Sequence, residues 1–260
     1  MFKQFWIIVL ALCSMSALWC ATTFGGVLMD EFDGEQLKDF WTFNNRGNPV
    51  STVSLKNDKL YIHVPAGNND LIPGVARAPT LTMPAPEGDY TETILYTGPT
   101  AQSAAAGIVI FQDFFHQMHL LYGIGGGGGQ RVWFMGVAEN DVPPMRDKDG
   151  NIRGVGWGNH LFTGVLGAQK KVYLRIVKHG DTYTSYYKFK DSEPWGQWLS
   201  ADFPLQNPQV GLIVKNWGAG AELTAEFEFF QLEGEGVNFD VESDGHLPTI
   251  WSRIKKDGSR

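Results

Sequence analysis

The stretch QDFFHQMHLLYGIGGGGGQ, residues 112–130, holds two histidines three apart and five consecutive glycines. Zinc needs ligands that converge at about 2.0–2.1 Å, but side chains three apart on a strand point to opposite faces. The glycine run lacks the Lys-Ser/Thr that ends a phosphate-binding loop. We therefore predict that His116 lies in a turn, that His119 lies on a strand, and that the glycines connect two strands.

Acidic residues alternate with phenylalanines in EFEFFQ, residues 226–231. Glycoside hydrolysis needs two carboxyl groups about 5–5.5 Å or 6.5–9.5 Å apart. Strand alternation predicts instead that Phe227 and Phe229 face the core while Glu226 and Glu228 face outward. No Gly-x-Ser-x-Gly elbow is present. We predict no catalytic residue, although an enzyme remains an open alternative.

The first 21 residues have the features of a secretory signal peptide. Lys3 precedes the apolar run FWIIVLAL, and smaller residues follow. The run is too short for a membrane span, which takes roughly 20 apolar residues, so the mature chain is expected to have none. We expect an extracellular or periplasmic protein, with a lipid anchor on Cys20 as the alternative. Cys13 and Cys20 are the only cysteines, so no disulfide framework is expected in the domain.

Short apolar runs between turn residues follow one another from Val27 onward, a pattern typical of an all-β sandwich. Nine stretches are predicted strands: 59–65, 89–97, 105–112, 117–123, 130–138, 171–180, 181–189, 209–216 and 221–233. DGEQLKDFWTF is expected to contain one helical turn. We assign residues 22–235 to one domain and residues 236–260 to a polar tail with a short helix. No basic cluster is present, and the net charge is −7, so nucleic acid is not an expected partner.

Several stretches together resemble the concanavalin A-like lectin/glucanase superfamily. They are DEFDGEQLKDFWTF, AGIVIFQDFFHQMHLLYG, VYLRIVKHGDTYTSYYKFKDSEPWGQW, VGLIVKNWG and AEFEFFQLEG. The nearest branch is DUF1349, also found as the C-terminal domain of some β-xylosidases. The resemblance implies a jelly roll of two curved antiparallel sheets, whose concave face often binds glycans. It also implies that Trp41 is structural. Phe114, Phe115, the glycine run and the insertion at 139–160 depart from the family pattern.

Related domains in the superfamily are glycanases with the signature Glu-x-Asp-x-x-Glu. The nearest match here is EFEFFQ, which has Gln231 in the place of an acid. Several jelly-roll modules hold a structural calcium ion, and Asp30, Glu31 and Asp33 are the candidate ligands for one here. No other cofactor is expected. DKDGN, residues 147–151, resembles the start of a calcium loop but lacks its closing Glu, so we interpret it as a plain turn.

Sugars stack on aromatic rings and bond to amides and charged side chains. The candidate ligand-binding residues are His119, Arg131, Trp133, Trp157, Asn159, His160, Arg175, Trp195, Trp198, Asn216 and Trp217. The sequence therefore favours an exported, non-catalytic carbohydrate-binding module. One alternative is a structural or protein-interaction module of the cell envelope, attached to a protein partner through the tail. The other is a glycoside hydrolase with unrecognised acids.

Overall fold

The computed structural model describes residues 25–47, 49–98, 101–139, 143–153 and 169–237. All the regular elements of this part are strands, which we number in chain order. Paired strands run antiparallel in two large sheets and one small hairpin. The predicted two-sheet antiparallel sandwich is therefore confirmed. Within the described ranges there is also no helix with the length and apolarity needed to cross a bilayer.

The larger sheet has nine strands. Its spatial order is β13 (Arg146–Asp147), β16 (Gly196–Asp202), β15 (Thr182–Lys188), β14 (Lys171–His179), β9 (Tyr90–Thr97), β18 (Leu223–Gly234), β4 (Leu60–Val64) and β3 (Thr52–Leu55), with β1 (Gly26–Asp30) beside β18. Strand β18 pairs with β4 through its first half and with β1 through its last residues.

The smaller sheet has seven strands. Its order is β12 (Gln130–Val137), β11 (His116–Ile124), β10 (Ala104–Asp113), β17 (Gln209–Gly220), β8 (Thr80–Pro84) and β2 (Thr42–Asn44), with β5 (Gly67–Asn69) beside β17. The hairpin of β6 (Leu71–Ile72) and β7 (Val75–Ala76) follows β5 in the chain.

Each of the nine predicted strands coincides with an observed strand, because alternating apolar residues mark one buried face. The shortest strands were missed, and they include β2 and β13, at three and two residues. The helical turn predicted in DGEQLKDFWTF is wrong. That segment instead forms bends, a turn closed by the bond from the Trp41 amide to the Lys38 carbonyl, and then β2.

The core lies between the two sheets and contains one side of each alternating strand. In β11, Met118, Leu120 and Tyr122 belong to this core, as the alternation predicts. Strand β18 behaves differently, because its pairing with β9 shifts register between Phe227 and Phe229. Phe227 packs in the core, whereas Phe229 faces outward against Tyr173. The prediction that both phenylalanines face the core is therefore wrong, since a bulge reverses the alternation.

The glycine run forms the turn between β11 and β12, as predicted. The amide of Gly128 donates to the carbonyl of Gly125 at 2.9 Å. Gly128 and Gly129 have φ angles of 78° and 81°, a region that glycine enters without steric cost. His116 is the first residue of β11 rather than part of the turn, and its Nδ1 lies 2.9 Å from a carboxylate oxygen of Asp113.

The packed domain reaches slightly beyond the predicted boundary at residue 235. Val237 is buried and belongs to the core. Its carbonyl oxygen lies beside Gly26, where a Cβ would clash with it. The first and last described segments therefore meet at one end of the larger sheet. The predicted signal peptide, and residues 238–260 of the predicted tail, lie outside the described residues.

Glu92 is an acidic residue inside the core. Its side chain is completely buried, and neither carboxyl oxygen has a hydrogen-bond partner. Burial raises the pKa of Glu92 well above its ordinary value, and the nearby backbone of Gly211 only partly opposes this. Because an isolated carboxylate is costly to bury, the folded protein favours the protonated form of Glu92 more strongly than the unfolded chain does.

We expect Glu92→Gln to remove a pH dependence of stability. The unfolded wild type loses this proton above its ordinary pKa of 4.5, whereas the folded protein keeps it. The stabilising contribution is therefore full below that pH and is lost as pH rises, by at most about 1.4 kcal/mol per pH unit. Urea unfolding at a series of pH values above 4.5 should show the wild type losing stability relative to the variant as the pH rises. Parallel stability curves would contradict this.

Candidate ligand-binding faces

The outer face of the seven-stranded sheet, which we call the seven-strand face, carries a second hydrophobic cluster. Its members are Leu71, Ala78, Ala105, Val109, Leu121, Trp133, Met135, Val137 and Ile213. Strand alternation places Leu121 and His119 on this face, opposite the core residues of β11. Residues 67–78 pack here through Leu71 and Ala78. The sheet is therefore buried on both sides.

A buried ion pair joins this covering segment to the sheet. Lys215 Nζ donates to Asp70 Oδ1 at 2.7 Å, and the two side chains are 5% and 13% exposed. The same Asp70 oxygen accepts the amide of Leu71. Lys215 Nζ also lies 3.8 Å from the Met135 sulfur. Since desolvating two charges is costly, such a pair persists only with good geometry and additional hydrogen bonds.

His119 is completely buried beside this pair. Its Nε2 lies 2.8 Å from Gln117 Oε1, and the Gln117 amide nitrogen donates to the carbonyl of Phe114. Because that oxygen can only accept, Nε2 carries the hydrogen and Nδ1 is an acceptor without a partner. Burial, and then the charge of Lys215, hold the pKa of His119 well below its ordinary value, so the ring is neutral.

Two tryptophans meet at the rim of the seven-strand face. The rings of Trp133 and Trp217 are 5.9 Å apart and almost perpendicular, at 89°. Trp133 is buried, whereas Trp217 is partly exposed. Lys215 Nζ lies 5.9 Å from the centre of the Trp217 ring. Arg131 shares the face of Trp133 in β12 and is also partly exposed. The accessible groups of this corner are therefore the Trp217 ring and the Arg131 side chain, with Trp133 and Lys215 buried beside them.

Asn216 has a structural role at the edge of this face. Its oxygen accepts hydrogen bonds from the backbone and side-chain nitrogens of Asn69. Its amide nitrogen donates to the carbonyls of Pro65 and Ala221. All its hydrogen-bonding groups are therefore used to hold β5 and the β17–β18 loop, and we leave it out of the proposed binding surface.

The predicted ligand residues Arg175 and Trp195 lie elsewhere, on the outer face of the nine-stranded sheet, which we call the nine-strand face. The Arg175 guanidinium lies 4.1 Å from the centre of the Trp195 ring. Tyr173 meets Trp195 edge-on at 6.4 Å. Trp198 belongs to neither group, because it packs against the core beside Tyr187. The alternation of side chains along a strand could not predict that these residues lie on different sheets, because it carries no information about which sheet a strand joins.

Glu226 and Glu228, predicted to face outward, lie on the nine-strand face, where both pair with lysines. Lys59 contacts both carboxylates, and Lys171 contacts Glu228. Burial favours the neutral form of Glu226, but the bonds from Lys59 and Thr97 outweigh it and lower the pKa. A general acid needs a raised pKa, and the pKa of Glu226 is shifted in the opposite direction.

The acidic residues predicted to bind calcium have other contacts. Asp30 is buried, and its carboxylate accepts from the Trp41 indole at 2.8 Å, the Phe32 amide and Lys38. The burial of Trp41 matches its predicted structural role. Within the described ranges no group of three His, Cys, Asp or Glu side chains is arranged to hold a metal. Calcium binding stays a prediction.

The DKDGN segment is a turn, as interpreted from the sequence. One oxygen of Asp147 accepts the amides of Asp149 and Asn151, and the other accepts from Arg153. Trp157, Asn159 and His160 lie outside the described residues.

Sequence reasoning missed the Lys215–Asp70 pair. A lysine inside the apolar strand GLIVKNW was an available signal, because a mid-strand charge next to apolar residues needs a partner. No local pattern could have named that partner, since Asp70 lies 145 positions away in the chain.

We expect Asp30→Ala to lower the free energy of unfolding by about 2–4 kcal/mol, because it removes charged acceptors from a buried indole and a buried amide. Asp33→Ala, at an exposed site in the same loop, is the control and should change stability by less than about 0.5 kcal/mol. Urea unfolding measures both. Repeating the measurement with calcium chloride and with EDTA tests the calcium prediction, which requires that calcium stabilise the wild type.

We expect Lys215→Met and Asp70→Asn each to cost about 3–5 kcal/mol, because each leaves one buried charge without its partner. The double variant buries no charge, so its loss should be clearly smaller than the sum of the two single losses. Urea unfolding of the four proteins gives the coupling energy. Additive losses would show that the pair contributes nothing to holding the covering segment.

A family model describes the fold of this chain. The model of the β-xylosidase C-terminal concanavalin A-like domain matches residues 29–233, which is more than half of the chain. No curated protein matches the chain.

Solved structures share the fold at low sequence identity. The GH43B protein of a Bacteroides ovatus xyloglucan PUL is 20% identical with a TM-score of 0.57, over 79% of this chain and 39% of that chain. The xylan β-1,4-xylosidase of Bacillus halodurans is 17% identical with a TM-score of 0.57, over 79% and 38%. A functionally unknown Saccharomyces cerevisiae protein is 13% identical with a TM-score of 0.55, over 74% and 95%.

The match spans about two fifths of the length of the two bacterial proteins but almost all of the yeast protein. At these identities the structures show the fold alone, whereas the family model shows the family. The chain belongs to the family of β-xylosidase C-terminal concanavalin A-like domains, and its sandwich fold is consistent with this.

Proposed function

We propose that this protein is a non-catalytic carbohydrate-binding module whose ligand contacts the rim of the seven-strand face. The observation that carries the proposal is the perpendicular contact of Trp133 and Trp217 beside the buried Lys215–Asp70 pair. Aromatic rings take the apolar faces of sugars, and nearby charged groups take their hydroxyls. Three predicted ligand residues, Arg131, Trp133 and Trp217, lie together at this rim, and Arg131 and Trp217 are partly exposed there.

The family supports a carbohydrate-related role, since its model describes a domain of β-xylosidases. The sequence-based likeness to the DUF1349 branch, export from the cytoplasm and a structural calcium ion belong to the same proposal. His119 is completely buried, so in this proposal it supports the face from below and does not contact the sugar.

The interaction-module alternative depends on residues 236–260, almost all of which lie outside the described residues. It predicts that deleting residues 238–260 abolishes capture of an envelope protein and leaves polysaccharide binding unchanged. The carbohydrate proposal predicts saturable binding to a polysaccharide with or without these residues. The two proposals are therefore separable in one set of pull-down and binding measurements.

We expect Trp217→Ala to weaken polysaccharide binding at least tenfold, or about 1.4 kcal/mol, because it removes the accessible ring of the corner. Affinity electrophoresis against neutral polysaccharides, followed by isothermal titration with the best ligand, measures the loss. Trp195→Ala on the opposite face is the matched control and should bind neutral polysaccharides like the wild type.

Thermal unfolding of each variant confirms that the fold is intact. If the folded wild type binds no polysaccharide of a broad panel, the proposal is wrong. If Trp217→Ala binds as tightly as the wild type, carbohydrate binding stands but the seven-strand rim is not its site.

A further inference from the structure

We propose that the nine-strand face holds a second, separate site that takes the carboxylate of an acidic sugar, with Arg175 as its anchor. This inference rests on the proposed function, because that function supplies the ligand class. It goes further by placing a second contact on the opposite side of the sandwich and by naming the charged group of the sugar that it selects.

Arg175 lies in a row of polar side chains across four neighbouring strands. In the strand register it stands opposite Thr93 of β9 and Tyr186 of β15, and Thr93 stands opposite Gln231 of β18. Side chains in register on one sheet face are neighbours about 5 Å apart. Thr93 is buried in this row and bonds to Arg175. Arg175, Tyr186 and Gln231 are partly exposed, and a guanidinium, a hydroxyl and an amide are groups that hydrogen-bond to sugar oxygens.

The Arg175 side chain is positioned by a hydrogen bond and a ring contact, but it forms no ion pair within the described residues. Its Nε donates to Thr93 Oγ1 at 3.0 Å, and its guanidinium stacks on Trp195 at 4.1 Å. Among the residues that the structure describes, no carboxylate lies within ion-pair distance of Arg175. Glu233 acts on it only from farther away, and that carboxylate already accepts from Gln231.

Other cations of this face have partners, which makes Arg175 distinctive. Lys59 pairs with Glu226, Lys171 with Glu228, and Lys188 with Asp191. Arg175 is also partly buried, and this burial lowers its pKa. A partly desolvated cation without a counter-charge is costly, so an anion that pairs with it would bind favourably.

The two Nη groups of Arg175 are hydrogen-bond donors, and their geometry favours a carboxylate as the ligand. Nε is occupied by Thr93, while the Nη groups have no partner in the described ranges. A planar guanidinium forms two parallel hydrogen bonds to a carboxylate, which adds both strength and direction. Stacking on Trp195 fixes the plane of this fork. A uronic acid carries such a carboxylate on a sugar ring, and the neighbouring Tyr186 and Gln231 can bond to its hydroxyls.

Space for a neighbouring sugar lies one row along the same face. An open depression of about 480 Å³ is lined there by Val27, Asp89, Thr91, Val177, His179 and Glu233. Val177 is two residues from Arg175 on β14, a separation of about 7 Å. The depression is within the size range of ligand pockets. A polysaccharide lying along β14 would therefore pass Tyr173, then Arg175, then this depression.

The test compares acidic polysaccharides with their carboxyl-reduced forms, which differ only in having hydroxymethyl groups in place of carboxylates. The probes are glucuronoxylan, polygalacturonate and alginate, each titrated into wild type, Arg175→Gln and Arg175→Lys. Lys148→Gln removes one positive charge from an exposed turn and is the charge-matched control. Thermal unfolding establishes that each variant is folded.

We expect the wild type to bind at least one acidic polymer tenfold or more tightly than its reduced form. Arg175→Gln should abolish this preference, Arg175→Lys should restore only part of it, and Lys148→Gln should keep it. Binding of the reduced polymer should persist in Arg175→Gln and weaken in Trp217→Ala.

Equal affinity of the wild type for each acidic polymer and its reduced form would overturn the Arg175 site while carbohydrate binding stands. A preference that survives in Arg175→Gln would overturn it in the same way. If the wild type binds none of the polymers, acidic or reduced, and also none of the neutral panel, the proposed function fails together with this inference.

Discussion

The organisation of this domain depends on burial of both faces of the seven-stranded sheet. Antiparallel sheets commonly pack one face on the core and leave the other in water. Here the inner face packs against the nine-stranded sheet, and residues 67–78 cover part of the outer face. Two polar contacts hold that cover: Asn216 bonds to Asn69, and Lys215 pairs with Asp70. Asn216 and Lys215 are both residues of β17. One strand of the sheet therefore holds the segment that covers that sheet.

This constraint makes the two outer faces chemically different. Under the cover, charged and polar groups are desolvated, and the pKa of His119 is lowered first by this burial and then by the charge of Lys215. The nine-strand face has no comparable cover in the described ranges, and its charges pair mostly at the surface, where each pair contributes little. A ligand at the rim of the seven-strand face would therefore meet a rigid, preorganised corner. A ligand on the nine-strand face would meet partly exposed polar groups around one half-buried arginine.

Alternation predicted the longer strands and the outward position of Glu226 and Glu228, because burial of one face is a local, repeating property of the sequence. It failed at Phe229, since a single bulge in β18 reverses the alternation without a local signal. It also grouped Arg175 and Trp195 with Trp133 and Trp217. Residues of different strands come together only through sheet order, which depends on contacts far apart in the chain. The Lys215–Asp70 contact was out of reach for the same reason.

The titration properties of the carboxyl groups bear on the hydrolase alternative. A glycosidase of this kind needs one carboxyl with a raised pKa as acid and a second, ionised carboxyl across the scissile bond. In the described part of the chain, the carboxyl with a strongly raised pKa is Glu92, sealed inside the core. Glu226, which a sugar could reach, has a lowered pKa and is bound to Lys59. The protonated acid and the accessible acid thus lie on opposite sides of one sheet, where no single glycosidic bond could contact both.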